Sequence, residues 1–174
     1  SGLSARVSAA NEIRTVQIGG DSPFPAKTKS PLPVNSIWTG DRVILTGHRD
    51  GTVQRWSPRG DHQTIHRDRR LAPVTAVAES PGRRIRVVGS ASGRTSVSAD
   101  RLGGPPADSH RHDWQRLPSG KPVTALAADD AVEIVAVGRT HGEVEMYQHM
   151  HGAWEKTSSL YANGTPVDIR FSAD

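Results

Sequence analysis

The chain has 174 residues, 34% hydrophobic and 23% charged, and its 22 Lys plus Arg against 18 Asp plus Glu give a formal net charge of +4. This suits one ordinary domain or two small ones, and with 17 glycines and 12 prolines it is too apolar and too well punctuated for a disordered chain. Cysteine is absent, which excludes disulfides, thiolate zinc sites and cysteine nucleophiles, and no apolar run is long enough to span a bilayer.

Ser1 to Ala10 lacks the charged-then-apolar order of a signal peptide, so a cytoplasmic location is expected. Ser1 to Val7 lines up with Asp50 to Trp56, and Glu12 to Ile18 alternates apolar and polar residues as an outer strand does. A Pro-Val pair then opens four similar segments, at Val34, Val74, Val123 and Val167, separated by 40, 49 and 44 residues. After each of the first three comes an apolar run: Val43 to Leu45, Ile85 to Val88 and Ile134 to Val137. Each run enters a glycine-flanked turn, closed by Gly51, Gly93 and Gly142. Two independent landmarks keep one period, which identifies a repeat protein.

Each unit holds about four short β-type segments, a to d, with no helical periodicity between them. In the third unit these are Val123 to Ala127, Glu133 to Val137, Glu143 to Tyr147 and Trp154 to Ser158. Strand a starts just after proline, where the missing N–H costs no ladder bond. Strand b is nearly continuously apolar, as expected where both sheet faces are covered. The second c–d connection, Asp100 to Ser109, is rich in turn formers. Thr165 to Phe171 reads as strand a of a fifth unit.

The stretch Gly40 to Trp56 closely resembles a blade of the WD-repeat β-propellers. In that family an Asp in the b–c turn, a Thr or Ser in strand b and a Trp in strand c form a hydrogen-bonded structural set, and Asp50, Thr46 and Trp56 match those positions. The family's histidine in the d–a connection has no counterpart, since that connection reads Arg69-Arg70-Leu71-Ala72-Pro73. In the later units Ser98 and Tyr147 stand where Trp56 stands, and Ser92 and His141 replace Asp50. The resemblance implies an all-β propeller with three complete four-stranded blades (32–71, 72–120, 121–164) and partial blades at 1–31 and 165–174. Further blades are expected from a longer chain or a second one.

Of the 22 basic residues 18 are arginine, but acidic residues are interspersed among them, whereas a nucleic-acid binder usually concentrates its charge on one face. Nucleic acid through surface arginines is therefore the weaker partner reading. His110, His112, His149 and His151 fall in c–d connections, with His62 and His66 near the corresponding loop of the preceding unit. Imidazoles suit zinc or copper, yet extended x-His-x-His points its rings to opposite sides, so solvated loop histidines and no metal or other cofactor are expected. Ser90, Ser92, His48 and His141 share one set of turns, which keeps a propeller-type hydrolase or ligand-binding propeller as the alternative. No Gly-x-Ser-x-Gly elbow or phosphate-cradling loop occurs. The expectation is a non-catalytic scaffold or sensor. It would hold a protein partner through a rim of His48, Arg49, Arg67, Arg69, Arg70, Arg139 and His141.

Overall fold

The structure, a computed structural model, describes residues 2–18, 24–40, 43–68, 70, 72–80, 82, 85–99, 114–129 and 131–171. Among these residues the chain is all-β, with no α-helix and only a single 3-10 turn at Thr140–Gly142. No helix among them is long and apolar enough to cross a membrane. The chain divides into two compact units, Ser1–Val74 and Thr75–Asp174.

The first unit carries a three-stranded antiparallel sheet of β1 (Gly2–Val7), β2 (Glu12–Ile18) and β3 (Lys27–Lys29), joined in sequence order. Strand β1 lies where its likeness to Asp50–Trp56 put it, and β2 where the alternating pattern did. The short β3, with two exposed lysines, carries no apolar signal and was not expected. A four-stranded meander follows, of β4 (Val34–Gly40), β5 (Val43–His48), β6 (Thr52–Trp56) and β7 (His62–Arg67). Its second strand is buried along its whole length and its fourth is mostly exposed, as the apolar and alternating patterns require. Ile13 and Phe24 pack against Ile44 and Trp56, with Ala5, Val7 and Ile37 at the margin, so Trp56 is held between two sheets.

The second unit holds two more meanders. One comprises β8 (Val74–Glu79), β9 (Ile85–Ser90), β10 (Thr95–Ala99) and β11 (Trp114–Arg116), and the other β12 (Val123–Asp129), β13 (Ile134–Arg139), β14 (Glu143–Met150) and β15 (Ala153–Tyr161). All four strands of the last sheet coincide with the expected segments, running one to three residues past their ends, except that β13 starts one residue later, at Ile134. The sheets meet closely: a Cβ on Gly89 would collide with the Val123 side chain, and Thr75 Oγ1 donates to the Val123 carbonyl at 2.6 Å. Only hydrogen at residue 89 permits that approach.

The sequence repeat returns as a repeated hydrogen-bond pattern. Gly51, Gly93 and Gly142 all have positive φ, and each offers its carbonyl to an amide one to four residues beyond the fourth strand. Asp68 N donates to Gly51 O at 3.0 Å, Gly120 N to Gly93 O at 3.1 Å and Ala162 N to Gly142 O at 2.8 Å. At Gly93, with φ of 79°, a side chain would both strain the backbone and land on the Gly120 carbonyl oxygen. Strands β4 and β12 also share a bulge just after their Pro-Val pair. The fourth Pro-Val segment departs from this pattern. Thr165 to Phe171 belongs to no strand, although Pro166 and Ile169 lie against Gly138 of β13.

Candidate functional site

The turn between β5 and β6 is the most tightly tied of the candidate regions. Asp50 Oδ1 accepts from Thr52 N at 3.1 Å and from Thr52 Oγ1 at 2.7 Å, the usual role of an aspartate that caps its own turn. Gly51 N donates to His48 O at 3.2 Å, and Arg49 N to Pro33 O at 3.3 Å. Burial works against the Asp50 charge, but the two Thr52 hydrogen bonds, with His48 and Arg67 nearby, hold its carboxyl below the ordinary value. Strand β7 returns beside this turn, pairing Arg67 with Thr52, and Asp68 Oδ1 then accepts from Arg70 N at 3.0 Å. Arg49, Asp50, Arg67 and Arg70 are exposed, so three guanidinium groups stand around a turn that backbone hydrogen bonds keep in place.

Beneath this surface lies a buried relay. Trp56, only 2% exposed, donates its indole N–H to Thr46 Oγ1 at 2.8 Å, as the motif implies. Asp50 stays on the turn, and its carboxylate bonds to Thr52 rather than into the relay. The third member is His48, whose Nε2 lies 2.9 Å from Thr46 Oγ1 and whose Nδ1 lies 3.3 Å from the Pro33 carbonyl. A carbonyl can only accept, so Nδ1 carries the proton and Nε2 accepts from Thr46. The donations then run one way, from Trp56 through Thr46 to His48 and on to Pro33. Burial pushes the His48 imidazole below its ordinary 6.5, against the Pro33 carbonyl and Asp50, which favour the proton. The ring of His62 stacks on Trp56 at 4.6 Å.

His48 is therefore not a rim residue. It is 0% exposed, because β5 is enclosed on both faces of its sheet, and alternation puts it on the same face as Thr46. Arg139 is corrected in the same way. It occupies the place in β13 that His48 occupies in β5, is 1% exposed, and pairs through Nε with Glu145. Its Nη1 donates to Gly93 O at 3.0 Å and Lys121 O at 2.9 Å, and its Nη2 to Pro118 O at 3.1 Å. The guanidinium thus ties together a turn and a connecting segment. Lys156 Nζ also reaches Glu145 at 2.7 Å. Burial opposes the Glu145 charge, but hydrogen bonds from Lys156 and Arg139 hold the carboxyl below its ordinary value. Tyr147, the counterpart of Trp56, is enclosed beside this pair, and burial and the Glu145 charge push its phenol up.

His141 is exposed, with φ of 71°, in the 3-10 turn before β14. Arg69, His110 and His112 lie outside the described residues. His149 bonds through Nδ1 to Glu133 at 3.0 Å and packs on Trp154, while His151 and Gly152, both at positive φ, make a two-residue hairpin turn of the kind that primed turns form. Among the described residues no group of three or more His, Asp or Glu is placed to hold a metal. Ser90 Oγ is 2.9 Å from Ser92 Oγ and 3.3 Å from the Arg94 carbonyl, so both serines are engaged within their own turn. No protein-family profile matches the chain, and no curated protein does.

Proposed function

We infer that the chain is part of a WD-type β-propeller, its meanders serving as blades, and that it works as a non-catalytic scaffold gripping a protein partner. The observation that carries this reading is the turn closure repeated at Gly51, Gly93 and Gly142, a device that holds successive b–c turns rigid while their outer residues stay exposed. Rigid elements presenting exposed polar side chains are what partner recognition needs. Arg49, Arg67 and Arg70 are the contact residues in this reading, with His141 on the equivalent turn of the last sheet. Three guanidinium groups favour a partner segment rich in carboxylates, which they can meet bidentately.

The test is affinity capture from source-cell extract by the wild type and by the triple variant Arg49→Ala, Arg67→Ala, Arg70→Ala, quantified by mass spectrometry with and without nuclease. A discrete protein should fall by about tenfold or more on the variant, the loss typical of removing interface arginines. Melting behaviour should stay unchanged. Capture that is equal on both proteins, or that nuclease abolishes, overturns the reading.

A further inference from the structure

Only two pairs in the chain set an aspartate or asparagine directly before glycine, Asp50-Gly51 and Asn163-Gly164. In such a pair the glycine backbone nitrogen can attack the side-chain carbonyl carbon of its neighbour and close a five-membered imide. Glycine permits this because it has no Cβ to shield the nitrogen and adopts the backbone angles that the ring demands. The closure needs a nitrogen that no hydrogen bond holds, a side chain free to turn, and a neutral carbonyl bearing a group that can leave. Asp50 and Gly51 meet none of these conditions. Gly51 N donates to His48 O at 3.2 Å, and Asp50 Oδ1 is occupied by Thr52 N and Thr52 Oγ1. The Asp50 carboxyl, held below its ordinary value by those bonds, is ionised at neutral pH and a poor electrophile.

Asn163 and Gly164 meet all three. Both are exposed, in the connection that leaves β15. Among the described residues neither the Asn163 side chain nor Gly164 N makes a hydrogen bond. Gly164 has φ of 112°, and a Cβ on it would meet nothing within 4 Å, so the space beside the pair is open. The pair is held at its flanks, where Ala162 N donates to Gly142 O at 2.8 Å and Pro166 lies over Gly138. The other two asparagines are placed differently. Asn35 Nδ2 donates to the Val74 carbonyl at 3.0 Å, and Asn11 precedes Glu12, whose nitrogen donates to Ser8 Oγ at 3.3 Å. We propose that Asn163 is a modification site, at which the chain deamidates through an imide with Gly164 to aspartate and isoaspartate.

Hydroxide removes the Gly164 amide proton, and the nitrogen attacks Asn163 Cγ. The N–Cγ bond forms, the Cγ–Nδ2 bond breaks, and Nδ2 leaves as ammonia with a proton taken from water. A second water then opens the imide without any change of oxidation state. Cleavage at Cγ restores the main chain with aspartate at 163, whereas cleavage at the main-chain carbonyl leaves the chain running through Cβ and Cγ as isoaspartate. Either product adds a negative charge beside Ala162, whose carbonyl lies against Gly142 and so next to the His141 turn. Isoaspartate also lengthens the main chain between Ala162 and Pro166 by a methylene group, which would loosen the seat of Pro166 and Ile169 on Gly138. This chemistry is local and stands apart from the scaffold reading above.

Incubation of the folded protein in mildly alkaline buffer, followed by tryptic digestion in mild acid and mass mapping, tests it. Asn163→Gln and the urea-unfolded wild type run in parallel. In the native wild type the Thr157–Arg170 peptide should gain the mass difference between an amide and an acid, while the peptides holding Asn11 and Asn35 keep theirs. The incubated protein should also accept a labelled methyl group from an isoaspartyl carboxyl methyltransferase, and conversion should slow in mildly acidic buffer. Asn163→Gln, whose longer side chain must close a larger ring, should lose both the mass gain and the label. Native protein that keeps Asn163 intact while the unfolded chain converts overturns the proposal, because the fold then protects the pair. So does label that persists undiminished in Asn163→Gln, or native conversion at Asn11 or Asn35 as fast as at Asn163.

Discussion

Replacing Thr46 by valine keeps shape and removes one hydroxyl, and the consequences can be worked from the relay around it. Thr46 is wholly buried, accepts from the Trp56 indole at 2.8 Å and bonds His48 Nε2 at 2.9 Å. The substitution leaves an N–H donor and a ring-nitrogen acceptor enclosed without partners, each costing about 1–3 kcal/mol. The methyl that replaces the hydroxyl returns about 1 kcal/mol of transfer free energy. The net loss should be about 3 kcal/mol, of the same order as a typical severe core substitution. Trp56→Phe provides the control, because it removes the donor while leaving Thr46 bonded to His48. In the double variant Thr46→Val then strands only His48, so the cycle should show a coupling of about 1–2 kcal/mol. Urea unfolding at neutral pH, followed in parallel by far-UV circular dichroism and by fluorescence, measures all four proteins. A Thr46→Val cost under about 0.5 kcal/mol, or additive losses in the cycle, would refute the relay as a source of stability.

Two further outcomes follow from the same geometry. Native His48 resists the proton that an unfolded histidine takes up near 6.5, so the unfolded chain binds more protons below that value. Its contribution is complete above 6.5 and fades as pH falls toward the lowered native value; urea midpoints from about pH 7 to about pH 5 should decline, and His48→Gln should flatten that slope. Arg139→Met leaves Glu145 buried with only Lys156 and takes the guanidinium donor from the Lys121 and Pro118 carbonyls and one of two donors from Gly93 O, so it should cost about 3–5 kcal/mol, whereas Arg70→Met on the exposed turn should stay within about 0.5 kcal/mol in the same titration.

The sheets were readable because their signals are local. Pro-Val starts, apolar second strands and glycine turns recur at one spacing, and the last sheet follows the expected strands closely. The burial of Trp56 was legible too, and Trp38, Trp114 and Trp154 are all less enclosed, as strand ends should be. Strand β3 escaped because three residues, two of them exposed lysines, carry no periodicity. His48 and Arg139 were placed on the surface because a cationic side chain beside a turn is usually solvated. What encloses them is a set of backbone carbonyls from Pro33, Gly93, Pro118 and Lys121, which no side-chain pattern records. A positional signal was nevertheless present. Gly47-His48, Gly89-Ser90 and Gly138-Arg139 hold one place at the end of the second strand, which is enclosed on both faces almost throughout in each four-stranded sheet.

Among the described residues every strand pairs only with its neighbours in the sequence. All-β proteins ordinarily fold slowly, because their ladders join residues far apart in the chain and long loops must close first. Here each sheet can assemble from a few dozen contiguous residues, by successive hairpins that close on the microsecond scale. The slow step in refolding should therefore be the seating of finished sheets on one another, not the search for strand partners. A meander of this kind also grows by simple duplication of its unit, with no rewiring of the sheets already present.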